Sequence, residues 1–249
     1  MKRIAIGGVL LLALGMLFSG MAFAGEKADV CHLEGNGFYH LINVSVNALP
    51  AHLAHGDGIP GEGFLLDCTP LIVEEGPITY ETNQPSVRYR SFANTGGHEI
   101  YIGKQDLGNP INRADADNHT WGSGLNYFVF SYDANTGVLS TTVTDGTTTT
   151  SSGTIALGDG TCGPDNWNAL EILVLNRDTG TTVNLNDLAI DSVSLGMDFT
   201  GGTTFADGTW HVTYPFGGNS FDISGSIELG GIFSTSQELS KVQLIVGCN

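Results

Sequence analysis

From residue 127 onward the apolar residues come in short runs separated by turn signals, and this spacing is what most restricts the fold. Tyr127-Phe-Val-Phe-Ser-Tyr132 and Val138-Leu-Ser-Thr-Thr-Val-Thr144 flank Asp133-Ala-Asn-Thr-Gly137, which reads as two strands joined by a Gly-containing hairpin loop. Further strands are expected at 153–157, 169–175, 182–185, 189–195, 209–214, 220–229 and 241–246. Asp-Gly and Gly-Gly pairs punctuate the intervals between them. Long segments with helical periodicity are missing from this pattern. Many short strands at such intervals predict a mainly β chain, an antiparallel β-sandwich of jelly-roll type over residues 70–249. The run 147–152 reads as a solvated Thr/Ser loop or edge. Residues 70–86, with three prolines, read as a linker or a first edge strand.

Residues 1–24 have a different character. Met1-Lys2-Arg3 precedes an apolar run from Ile4 to Phe18, and small residues Ala22 and Ala24 then form a cleavage box. This is the pattern of a secretory signal peptide, and the apolar run is short for a membrane span. The expectation is an exported protein, extracellular or periplasmic, with no transmembrane segment in the mature chain. Nine basic against 26 acidic residues give a net charge of −17, the wrong field for nucleic acid. Export permits disulfides, and the four cysteines allow three pairings. The local one, Cys31 with Cys68 and Cys162 with Cys248, keeps each bridge inside one module.

Histidine marks the boundary of a small N-terminal module at residues 25–69. Four of the seven histidines, His32, His40, His52 and His55, fall within it. Glu34-Gly-Asn-Gly37 reads as a turn between two short strands. In the second strand His40, Ile42, Val44 and Val46 share a face, which points His40 inward. Asn47 is placed to cap a short helix over 48–55, ended by Gly56, with His52 and His55 stacked on its flank. A hairpin carrying an inward imidazole, closed by a His-x-x-His helix, is a ββα arrangement suited to a tetrahedral transition metal. Zinc leads among the ions and copper is the softer alternative. His32 completes a four-His set if Cys31 turns towards Cys68; a one-residue slip would make Cys31 the ligand instead. Asp57, just past the helix, suits the role of a carboxylate that orients a ligand histidine. The competing reading is a metal-free hairpin closed by its disulfide.

Two resemblances add to this reading. Cys31-His32, His40-Leu-Ile-Asn-Val44 and Ala51-His-Leu-Ala-His-Gly-Asp57 resemble a module found near the start of many exported bacterial proteins of unknown role, although Cys68 closes it later than that pattern does. Residues 167–175, 183–188 and 221–230 resemble bacterial exported β-sandwich domains of the choice-of-anchor type, the W-like group above all. The second resemblance implies a non-catalytic surface domain.

Beyond the module the chemical signals are weaker. Asp115-Ala-Asp117-Asn118 supplies alternate oxygens that would suit calcium in a loop. Trp121, Trp167, Trp210 and Tyr127 are candidates either for the core or for a sugar-stacking platform, with the core preferred. Pairs such as Glu171 with Asp187 or Asp191 would be needed for a glycosidase, yet no nucleophile elbow, phosphate loop or haem motif accompanies them. The expected function is therefore non-catalytic: a module that binds a transition metal in a structural role, with reversible metal capture as the variant, on a sandwich that contacts a cell surface, a matrix component or a glycan. A calcium-assisted lectin is the rival.

Overall fold

The computed structural model describes residues 26–76, 84–94, 99–104, 113–116, 119–144, 148–154, 166–216, 220–236 and 238–248. The leader at 1–24 lies outside them. The N-terminal module holds β1 (Lys27–Leu33), β2 (Tyr39–Ser45) and one short helix, α1 (Leu49–Ala54). The sandwich follows, opening with β3 (Ile72–Glu75), β4 (Pro85–Arg90), β5 (Ile100–Lys104) and β6 (Arg113–Ala116). Next come β7 (Gly124–Asp133), β8 (Val138–Thr144), β9 (Thr148–Thr154), β10 (Ala169–Asn176) and β11 (Thr182–Ile190). The last strands are β12 (Val193–Ser194), β13 (Phe199–Thr200), β14 (Thr209–Thr213), β15 (Phe221–Gly230) and β16 (Ser240–Gly247).

Two antiparallel sheets make the sandwich. The first runs β3-β14-β10-β16-β4-β5-β6, and the second β12-β11-β15-β7-β8-β9, with β13 also on β11. After β9 the chain passes back and forth between the sheets, so strands distant in sequence become neighbours: β16 pairs with β4, and β15 with β7. The mainly β sandwich expected from strand spacing is what forms.

Period-two alternation builds the core. In β7, Phe128, Phe130 and Tyr132 point inward, and Leu125, Tyr127 and Val129 outward. Leu170, Ile172 and Val174 of β10 meet Val183, Leu185 and Ile190 of β11 in one continuous apolar cluster. Trp121 and Trp167 lie in this cluster at 4% and 1% exposure, and Trp210 packs against it. The preference for core tryptophans therefore holds, while Tyr127 stands out at 57%.

Three local readings change. Segments 182–185 and 189–195 were expected as separate strands. The first and the start of the second form one strand, β11, interrupted between Asn186 and Ala189 by a bulge with Asp187 at φ 54°. The 147–152 run contributes the edge strand β9, which pairs along its length with β8. Of the two readings for 70–86, the edge strand is realised at 72–75, where β3 pairs with β14.

The module is joined to the sandwich by main-chain bonds. Gly63 donates to the Ser194 carbonyl at 2.9 Å, and Ser194 donates to Gly61 at 2.9 Å. Leu65 and Leu71 pack on the sandwich core beside this junction.

Candidate metal centre

The hairpin register sets the site. β1 and β2 pair with His32 directly opposite His40 and Val30 opposite Ile42. The turn between them is tied by Gly37 donating to Glu34 and Glu34 donating to Phe38, each at 2.9 Å. Cys31 points to the other face of β1, where it is buried and bonded to Cys68 with the Cα atoms 5.3 Å apart. This leaves His32, not Cys31, on the side facing the helix, and Cys31 is not available as a ligand. Cys248 is likewise disulfide-bonded; Cys162 lies outside the described residues.

Asp57 reaches the site through the residue after it. Gly58 exchanges both main-chain hydrogen bonds with Cys31, at 2.9 Å each, so the preceding carboxylate falls beside His32. Gly58 must lack a side chain, because a Cβ there would lie 2.1 Å from Phe64 Cε2. The helix delivers His52. It is entered through a 3-10 turn at Val46–Ala48 capped by Ser45, rather than by the expected Asn47. It ends as expected at Gly56, whose φ is 94°.

These elements place two imidazoles on one carboxylate oxygen. His32 Nδ1 lies 2.8 Å and His52 Nδ1 2.7 Å from Asp57 Oδ2, and the Leu33 amide donates to Oδ1 at 2.9 Å. The Asp57 side chain is 1% exposed, against 38% for His32 and 24% for His52. Burial works against ionisation of Asp57, but the hydrogen bonds from His32, the Leu33 amide and His52 outweigh it and hold the pKa at about 2. A carboxylate can only accept, so each Nδ1 carries the proton, and in the neutral ring the lone pair resides on Nε2. His32, His52 and Asp57 form a group able to hold a metal ion, with one ligating atom from each within 4.8 Å of the others.

His40 stands at the turn end of the hairpin, next to its last pair, Leu33 with Tyr39. Ile42 and Val44 on its face are half-buried, as alternation requires, yet the His40 side chain is 46% exposed instead of pointing inward. Its ring meets that of His32 edge-on with centroids 5.5 Å apart, and the His32 and His52 rings are 5.7 Å apart in the same manner. His40 Nδ1 also faces a carboxylate, Glu34 Oε1 at 3.4 Å, and Asn36 steadies Glu34 by donating to Oε2 at 2.8 Å. Glu34 reads from sequence only as a turn residue; its pairing becomes visible once His40 is seen beside the turn. His55 forms the C-cap of α1 and is exposed; neither it nor His40 belongs to the group of His32, His52 and Asp57.

Among the described residues, the other sequence candidates lie on separate elements. Asp115 lies in strand β6, not in a loop, and is bound by Arg113 Nε at 2.8 Å; Asp117 and Asn118 lie outside the described residues. Glu171 belongs to the first sheet, whereas Asp187 and Asp191 belong to the second sheet and its turn, so no glycosidase pair converges there. No helix among the described residues is long and apolar enough to cross a membrane. Compared with known proteins, the chain matches no family model, and no curated protein matches it either.

Proposed function

We propose that the N-terminal module binds a transition metal, zinc first and copper as the softer alternative, on the Nε2 atoms of His32, His40 and His52. The observation that carries this reading is the buried Asp57 carboxylate holding the Nδ1 atoms of two neighbouring imidazoles. Carboxylate–histidine–metal chains work in this way, the carboxylate fixing the tautomer and aiming the other nitrogen at the ion. Glu34 lies near His40 Nδ1 in a looser, half-exposed contact at 3.4 Å. Three imidazoles around one tetrahedral ion, bound at about 2.0–2.1 Å, put their ring centroids about 5 Å apart. The separations of 5.5 and 5.7 Å about His32 are close to that. The 2.7–2.8 Å contacts to Asp57 are hydrogen-bond lengths, shorter than the spacing of two ligand atoms on one ion, which favours Asp57 as the orienting group.

The rings retain between 24% and 46% exposure, so the ion would keep a coordination position towards solvent. Structural zinc sites are closed, and sites with an open position exchange ligands. The reading is thus a reversible metal-binding module in an exported, non-catalytic protein of the choice-of-anchor type, with the sandwich providing contact to surroundings. The leader pattern and the Cys31–Cys68 disulfide support export.

Zinc competition against a chromophoric chelator, using untagged protein, tests the site. His32→Gln, His40→Gln and His52→Gln should each weaken zinc at least tenfold, while His55→Gln should stay within about threefold. Equal effects of His55→Gln and His40→Gln would replace the proposed ligand set. Absence of zinc binding by the wild type would leave the module a disulfide-closed cap.

A further inference from the structure

The outer face of the second sheet combines features that the metal module does not use. Alternation along β7 turns Leu125, Tyr127 and Val129 outward at 45%, 57% and 41% exposure. Thr144 and Thr142 of β8 stand opposite Tyr127 and Val129 on one side. Ser226 and Ser224 of β15 stand opposite the same two on the other. The stretch of β7, β8 and β15 around Tyr127 and Val129 is therefore uncharged, on a protein whose net charge is −17, with Asp187 of the β11 bulge flanking it beside Ser224 and Ser226.

Both ends carry polar groups already held in place. At one end Glu228 Oε2 accepts from the side-chain amides of Asn184 and Asn186, each at 3.3 Å. At the other end a cavity of about 470 Å³ is lined by Ser131, Ser140, Asp133, Asp191 and Asp222, with Tyr132 and Phe221 also on its wall. Thr136 and the Asn135 amide hold Asp133, and the Asp222 amide holds Asp191. Tyr127 and Ser131 are four residues apart on one strand, a span of about 13 Å.

We propose that this face binds a neutral glycan chain lying along β7, with Tyr127 as the stacking platform and the cavity beside Ser131 and Asp222 as the end subsite. A pyranose offers an apolar C–H face and a belt of hydroxyls. Those two chemistries match an exposed ring flanked by Ser, Thr and Asn, with fixed carboxylate acceptors at both ends. The overall negative charge disfavours a polyanion. The 13 Å span suits an oligosaccharide rather than a single sugar. This site gives a chemical class to the contact role proposed for the sandwich and is independent of the metal.

Affinity electrophoresis with EDTA present tests it, in gels containing a galactomannan, a mixed-linkage β-glucan, a dextran or, as polyanion, alginate. At least one neutral polysaccharide should retard the wild type. Tyr127→Ala should reduce apparent affinity tenfold or more, and Glu228→Gln and Asp222→Asn several-fold. Tyr127→Phe should retain most of it, and Phe205→Ala, an exposed aromatic elsewhere, should change nothing. No retardation by any neutral polymer, retardation by alginate alone, or wild-type behaviour of both Tyr127→Ala and Glu228→Gln would overturn the proposal. Retardation seen without EDTA and lost with it would make the binding metal-dependent and overturn the proposal equally.

Discussion

Replacing Asp57 by Asn keeps the shape of the residue and removes what makes the module cohere. The carboxylate accepts three hydrogen bonds, two from imidazole Nδ1 atoms on Oδ2 and one from the Leu33 amide on Oδ1. An amide has one accepting end. If it faces the imidazoles, its NH₂ confronts the Leu33 N–H; if it faces Leu33, its NH₂ confronts two Nδ1–H groups and drives both protons to Nε2. Either way at least one charge-assisted bond in a buried place is lost, at about 1.5–3 kcal/mol for the bond, with either a donor left facing a donor or both imidazoles forced into the other tautomer. The expected loss is about 2–4 kcal/mol, which is a factor of about 30–1,000 in an opening equilibrium. Hydrogen exchange in the metal-free, disulfide-intact protein reads this directly, because the Leu33 amide and the β1–β2 ladder open with the module. Asp29→Asn is the control, since Asp29 makes only an exposed contact to Asn43. Zinc affinity should fall 10–100-fold in the same variant, as it does when an orienting partner is removed. Exchange at Leu33 that is the same in Asp57→Asn, Asp29→Asn and wild type would refute the reasoning.

Three further outcomes are expected. Gly58→Ala drives a Cβ into the Phe64 ring and disturbs its contact with Tyr39, whose centroid is 4.7 Å away. A cost of about 1–3 kcal/mol should show in calorimetric melting, and an unchanged midpoint would mean that the ring yields freely. Joint replacement of Cys31 and Cys68 by Ser opens a loop with sequence separation 37. The loop-entropy relation puts its contribution near about 4 kcal/mol, so urea unfolding of the module should move to markedly lower denaturant. Burial, and then Arg88, Arg90 and Arg177, lower the Lys241 pKa from 10.5 to about 8. The folded protein then binds fewer protons than the unfolded chain between those values, so this group makes stability rise as pH rises through that window. Urea midpoints between pH 8 and 10 should climb less in Lys241→Gln than in wild type, and equal slopes would contradict the assignment.

What the sequence made legible was local. The β7–β8 hairpin could be placed because both strands alternate cleanly and Asp133 and Gly137 supply their own turn: Gly137 donates to the Asp133 carbonyl at 2.8 Å, with φ 69°. The β4 strand was not legible, because Arg88 and Arg90 break its apolar pattern. Arg90 is nonetheless 7% exposed, stacked on Tyr101 of the adjoining strand β5 and paired with Glu238, which lies just before the distant strand β16. The module shows the same division. His32, His52 and Asp57 meet within a short stretch whose spacing and helix stop are written in the chain. The exposure of His40 and the exclusion of His55 depend on how the helix sits against the hairpin, which spacing alone does not encode. The contact of Glu34 with His40 becomes visible only once the register sets His40 beside the turn.

X-ray absorption at the zinc edge of the reconstituted, untagged protein tests the central claim most directly. One zinc per chain, with three imidazole nitrogens and one further oxygen or nitrogen at about 2.0–2.1 Å, is the predicted result. That signature should persist in His55→Gln and lose an imidazole in His40→Gln. Sulfur in the coordination shell, an imidazole count unchanged in His40→Gln, or no stoichiometric zinc after reconstitution would contradict the account.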